Sequence, residues 1–97
     1  MATYIVLANF TEQGIRNVKD TMKRAEAFKA TAKKAGVTVK EIFWTLGHHD
    51  IVTIVDAPDD TAITAVGLQL GMLGNIRTQT LRAFPTTEME RILSKIA

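Results

Sequence analysis

The densest group of side chains that could transfer a proton or hold a ligand is His48, His49 and Asp50, which are consecutive. An imidazole can act as a general base near neutral pH, and a carboxylate can orient it. Neighbouring side chains of an extended segment point to opposite sides, so one chain offers one imidazole and one carboxylate rather than three metal ligands. We therefore predict no metal site, and we name His49 and Asp50 as candidate catalytic residues and His48 as a candidate ligand-binding residue.

The same three residues also fit a solvated turn. Asp50 would then accept backbone hydrogen bonds, as aspartates in turns commonly do, and the histidines would be partly exposed. Both interpretations stay open at this stage.

Tyr4, Trp44 and Arg77 are the other candidate ligand-binding residues. The two aromatic side chains could line a pocket, although such residues on strands also form cores and interfaces. Arg77 could hold an anion through its forked N–H donors or could protect an edge strand from aggregation. Arg82 has the same two alternatives, but its opposite parity on the strand predicts that it faces away from Arg77.

Several functional classes are excluded or disfavoured by composition. The chain has no cysteine, which excludes disulfides, thiolate catalysis and iron–sulfur clusters. Its 12 basic and 10 acidic residues show no excess of charge that would indicate nucleic acid as a partner. No apolar run is long enough to span a membrane, and no signal peptide opens the chain, so we expect a cytoplasmic protein with no membrane partner. The sequence does not indicate a particular cofactor.

Periodicity predicts a regular alternation of strands and helices within one domain covering residues 1–97. Strands are expected over residues 3–10, 37–46, 51–55 and 76–84, and helices over 15–35, 59–72 and from about 88 to the end. Asp20 or Thr21 is expected to cap the longer part of the first helix, and Thr87 with Glu90 fits a capping box for the last. Gly36 and Gly74 should end their helices in the left-handed conformation.

The order βαββαβ plus a terminal helix is typical of an α+β, ferredoxin-like antiparallel sheet with both main helices on one face. The strands are nevertheless apolar on both faces, as Ile5 and Leu7 show on one side and Tyr4 and Val6 on the other. Helices can cover only one face, so the second would expose an apolar patch. We expect a homodimer, or a larger homo-oligomer, with two sheets packed face to face.

Four segments resemble the GYD domain family of small bacterial and archaeal proteins. They are Thr-Tyr-Ile-Val-Leu at 3–7, Gln-Gly-Ile-Arg at 13–16, Phe-Trp-Thr-Leu-Gly at 43–47 and Gly-Asn-Ile-Arg-Thr at 74–78. The family's Gly-x-Tyr-Asp motif falls on residues 47–50, where His49 replaces the tyrosine. The resemblance implies membership of the dimeric α/β-barrel superfamily, which includes cofactor-free monooxygenases, haem proteins and small-molecule sensing domains.

Three functions follow as expectations. The first is an oligomeric module that binds a small apolar or anionic molecule in a cleft between sheet and helices. The second is a cofactor-free oxygenase or isomerase of the dimeric-barrel type that uses His49 and Asp50. The third is a structural or adaptor oligomer.

Overall fold

A four-stranded antiparallel sheet with strand order β2-β3-β1-β4 forms one layer of the computed structural model, which describes residues 1–97. The elements are β1 (Ala2–Phe10), α1 (Glu12–Arg16), a 3-10 turn (Val18–Asp20), α2 (Thr21–Lys34), β2 (Thr38–Trp44), β3 (Ile51–Ala57), α3 (Asp60–Met72), β4 (Ile76–Ala83) and α4 (Thr86–Leu93). This order and the α+β class confirm the expected ferredoxin-like fold. No helix combines the length and apolarity needed to cross a bilayer.

The core lies between one face of the sheet and helices α2 and α3. Tyr4 and Val6 of β1 pair with Val55 and Thr53 of β3, which places the four side chains on that face. Ala32 of α2 packs against them. Val37, Ala57, Ile63 and Val66 complete this buried cluster. The side chains that alternate with these residues must therefore lie on the opposite face of the sheet.

The opposite face, called the open face below, carries apolar side chains that no helix covers. Ile5 pairs with Ile54 and Leu7 pairs with Val52, so these four residues share the face. Leu81 lies opposite Ile5 on β4, and Phe43 lies opposite Val52 on β2. Leu81 is 40% exposed and Phe43 is 50% exposed. The predicted two-sided apolar pattern is thus present in the folded chain.

Two predicted helix caps are wrong. Asp20 accepts no capping bond because it ends a 3-10 turn with φ −89° and ψ 5°, and the hydroxyl of Thr21 is taken by the indole N–H of Trp44. At the last helix Pro85 occupies the N-cap position and the helix begins at Thr86, so Thr87 and Glu90 form no capping box. The extended ψ of Pro85, 162°, turns the chain into the helix two residues earlier than expected.

The predicted glycine stops are confirmed. Gly36 and Gly74 follow α2 and α3 with φ of +77° and +82°, a region in which a Cβ would be strained. The connection between β2 and β3 is longer than expected, because β2 ends at Trp44 and residues 45–50 form a loop.

Candidate functional site

A cavity of about 130 Å³ lies between the sheet and helices α2 and α3. Its lining is mostly apolar and comes from both layers, including Val6, Ile42, Phe28 and Leu70. A cavity of similar size, about 150 Å³, lined by leucine, isoleucine and phenylalanine binds benzene in another protein. An apolar cavity with a few polar groups is the usual architecture of a small-molecule site.

Trp44 lines this cavity at the end of β2. Its indole N–H donates a 3.0 Å hydrogen bond to the hydroxyl of Thr21, the first residue of α2. The bond joins the edge of the sheet to the beginning of the helix that covers it. Because 40% of Trp44 is exposed, the ring lies where the cavity meets solvent.

Arg24 is the one charged residue that lines the cavity, and the sequence did not identify it as a site residue. Its Nη2 donates to the carbonyl oxygens of Gly14 and Asn17 at 3.2 and 3.1 Å. Its Cζ lies 5.9 Å from the ring centroid of Phe10. Helical spacing could have identified it, since Arg24 precedes Phe28 by four residues and therefore lies on the same face of α2.

Asp50 ties the β2–β3 loop to the end of β1. Its carboxylate accepts a 2.9 Å bond from the N–H of Phe10, and its own N–H donates to the carbonyl of Ala8 at 2.9 Å. These bonds agree with the turn interpretation of this segment. They also place the loop at the end of the sheet where Trp44 and Phe10 line the cavity.

The side chain of His49 is oriented by Asn9, not by Asp50. Nδ1 of His49 lies 2.9 Å from Oδ1 of Asn9, whose Nδ2 donates to the carbonyl of His48 at 2.6 Å. An amide oxygen only accepts, so Nδ1 carries the proton and Nε2 of the neutral ring has a free lone pair. His48 is exposed, and neither imidazole lines the cavity. Nothing in the sequence marked Asn9 as a site residue, because its role depends on its contacts with His48 and His49, which are distant in sequence.

Tyr4 lies at the other end of β1 from the loop and does not line the cavity. It is 3% exposed, its hydroxyl donates to Oδ1 of Asp60, and the guanidinium carbon of Arg82 lies 5.7 Å from its ring centroid. The hydrogen bond to Asp60 is the main cause that raises the pKa of Tyr4 above its ordinary value.

Arg77 pairs with Asn9 on the open face, whereas Arg82 pairs with Tyr4 on the helix-covered face. The expected opposite orientation of the two arginines is thus confirmed. Of the six predicted site residues, the structure brings only Trp44 to the cavity lining, with the His48–Asp50 loop adjacent to it. Binding roles for Tyr4 and Arg77 stay predictions.

Two comparisons relate this chain to known proteins. The model of the GYD domain matches residues 4–93. A protein of Thermus thermophilus, described as "Glutamine synthetase and cystathionine beta-lyase binding protein", is 31% identical over 90 residues, which are 92% of this chain and 95% of that protein. The matched region includes the loop and nearly every element of the fold.

Proposed function

Since this chain belongs to the GYD domain family, we propose that it is an oligomeric module that binds a small, largely apolar molecule between its sheet and helices. The observation that carries the proposal is the cavity of about 130 Å³ with its apolar lining. A bound six-carbon body gains roughly 5 kcal/mol at about 0.8 kcal/mol per buried CH₂ group. That gain corresponds to a Kd on the order of 0.1–1 mM before any polar contact is added.

The test uses a matched pair of variants in α2. Ala25 lines the cavity, whereas Ala30 is exposed on the same helix and does not line it. Ala25→Leu should fill part of the cavity and weaken the binding of benzyl alcohol, while Ala30→Leu should leave its Kd unchanged. Methyl NMR titration of Val6, Ile42 and Leu70 reports binding directly. If benzyl alcohol and benzoate both leave these methyl signals unmoved, the proposed function is wrong.

The oligomer in this proposal is a homodimer with the open faces of the two sheets in contact. The support is the cluster of apolar side chains on that face, which includes Ile5, Leu7 and Phe43. A two-fold contact lets one chain supply both surfaces.

An adaptor function is the second candidate, and the relative's description as a binding protein of two enzymes favours it. Helix α4 offers a suitable surface, because its apolar residues Met89, Ile92 and Leu93 are 43%, 39% and 52% exposed. The experiment is biolayer interferometry of the chain against purified glutamine synthetase and purified cystathionine beta-lyase. Ile92→Glu should abolish an adaptor contact through this face, whereas Glu90→Lys on the polar face should weaken it less. No binding to either enzyme would contradict this candidate.

The enzymatic alternative, an oxygenase or isomerase, is supported by one observation at His49. The bond from its Nδ1 to Asn9 leaves Nε2 as an acceptor, which a general base requires. In this candidate Asp50 acts only by holding the loop in place. Oxygen uptake and isomer formation would be measured for molecules that bind outside the cavity, on the open face beside Asn9. If the turnover rate of His49→Ala equals that of the His48→Ala control, His49 is not the base.

A further inference from the structure

The guanidinium of Arg24 has unused donors beside an apolar cavity. An arginine side chain has five N–H donors, of which the two on Nη2 are used by the carbonyls of Gly14 and Asn17. Nε and Nη1 donate to no group of the protein, and none of the four ion pairs of the chain includes Arg24. Three N–H donors of a permanent cation are therefore available to a ligand.

The position of this cation is fixed before any ligand arrives. The two carbonyls that it binds lie in α1 and at its C-terminal cap, and the ring of Phe10 lies beside the guanidinium at 5.9 Å. Phe10 and Arg24 both line the cavity. A preorganised guanidinium costs less ordering entropy on binding than a flexible lysine would.

The rest of the lining limits the charge that a ligand can bring. It contains no acidic residue and no second cation, and its other polar groups are threonine hydroxyls, the amide of Asn75 and the indole N–H of Trp44, which donates to Thr21. One guanidinium compensates one negative charge, and its charge-assisted hydrogen bonds favour a carboxylate over a neutral acceptor. A phosphate dianion would keep uncompensated charge next to an apolar wall.

We propose that the ligand of this cavity is a small monocarboxylate whose apolar body fills the cavity and whose carboxylate accepts a charge-assisted hydrogen bond from Nη1 of Arg24. The inference rests on the proposed function and adds the ligand class to it. The volume of about 130 Å³ sets the body at about one six-membered ring.

The first measurement compares benzoate with benzyl alcohol, which has the same ring and no charge. Benzoate should bind wild-type protein about tenfold more tightly, because charge-assisted hydrogen bonds are stronger than neutral ones. Arg24→Met, which keeps an apolar stem, should weaken benzoate about tenfold and change benzyl alcohol less than about twofold. Arg16→Met is the control, since Arg16 is exposed and does not line the cavity.

A second measurement does not depend on the folding of the variant. In wild-type protein the ¹⁵N signal of Arg24 Nη1 should shift with benzoate and stay in place with benzyl alcohol. Equal affinities for the two probes, or an unmoved Nη1 signal in the presence of bound benzoate, would overturn the monocarboxylate inference while the cavity function stands. Absence of binding by both probes would instead overturn the proposed function.

Discussion

At the scale of single residues, Tyr4 offers a spectroscopic test of its hydrogen bond, because it is the only tyrosine of the chain. The bond to Asp60 raises its pKa above 10.0, so the folded state favours the neutral phenol. This contribution to stability is fully present below about pH 10 and is lost as the pH rises through the folded-state pKa. Absorbance at 295 nm should therefore show Tyr4 ionising above pH 10.0 in the folded protein.

The matched variant for this prediction is Tyr4→Phe, which retains the aromatic ring beneath Arg82. Its free energy of unfolding should fall less steeply than that of the wild type as the pH is raised past 10, because it has no phenol to ionise. Parallel pH dependences of the two proteins would contradict the role assigned to Asp60.

Gly14 is required by a close backbone approach. A Cβ at this position would lie 1.9 Å from the carbonyl oxygen of Asn75, which also accepts a 3.0 Å bond from the N–H of Thr11. Gly14→Ala must therefore separate α1 from the segment that precedes β4, at a cost of about 2–4 kcal/mol. Gly71→Ala is the control: a Cβ there meets open space, and alanine should add about 0.5–1 kcal/mol inside α3. Urea unfolding should show a lower free energy of unfolding for Gly14→Ala and a higher one for Gly71→Ala than for the wild type.

The sequence could identify residues whose role is local and could not identify those whose role depends on distant contacts. Asp50 fits a turn by its type, and its bonds to β1 agree. Gly14 looks like an ordinary turn glycine until Asn75, far along the chain, is placed against it. Arg24 likewise has no motif, because its significance comes from a cavity that two helices and the sheet enclose together.

At the scale of elements, Arg82 connects β4 to α4. Its Nη2 lies 3.2 Å from Oε1 of Glu88, and its Cζ lies 4.7 Å from the ring centroid of Phe84. The hydrogen bond to Glu88 also raises the pKa of Arg82, so the guanidinium keeps its charge. This arginine is thus the main polar attachment of the terminal helix.

Arg82→Met should loosen α4 while leaving the sheet intact. A partly exposed ion pair contributes about 1 kcal/mol or less, so global stability should fall only by that amount. Amide hydrogen exchange should accelerate within residues 86–93 and remain slow in β1 and β3. Arg91→Met is the control, since Arg91 lies on α4, is exposed and forms no ion pair. Uniform acceleration across all strands would show that Arg82 supports the core instead.

Element order was predictable because strand and helix periodicities differ and because glycines mark the ends of α2 and α3. The first residue of α4 could not be predicted in the same way. Pro85 and Thr87 are both typical of helix starts, and the backbone angles of Pro85 place the start at Thr86. The interruption before α2 was placed correctly, but the 3-10 turn there prevents Asp20 from capping.

At the scale of the whole molecule, the chain is thin and its core is small. Its dimensions are 52 × 31 × 18 Å, and only 11 of its 97 residues are buried. The shortest dimension fits one sheet with one layer of helices, which leaves the open face without a second apolar layer. A second copy packed on that face would supply this layer. The two-sided strand pattern predicts the need for a cover, but a single chain cannot show which surface provides it.

Phe43→Glu tests whether the open faces of two chains form the dimer contact. Phe43 is 50% exposed on the open face, and a carboxylate there would be buried without a partner between two sheets. The variant should be monomeric at micromolar concentration, where wild-type protein should be dimeric by light scattering, and its Tm should lose the concentration dependence that the dimer confers. Leu68→Glu is the control, because Leu68 is 66% exposed on α3 and lies away from the open face; it should remain dimeric. A monomeric wild-type protein at micromolar concentration would refute the pairing of sheets, and a dimer unaffected by Phe43→Glu would move the interface to another surface, with α4 the next one to test.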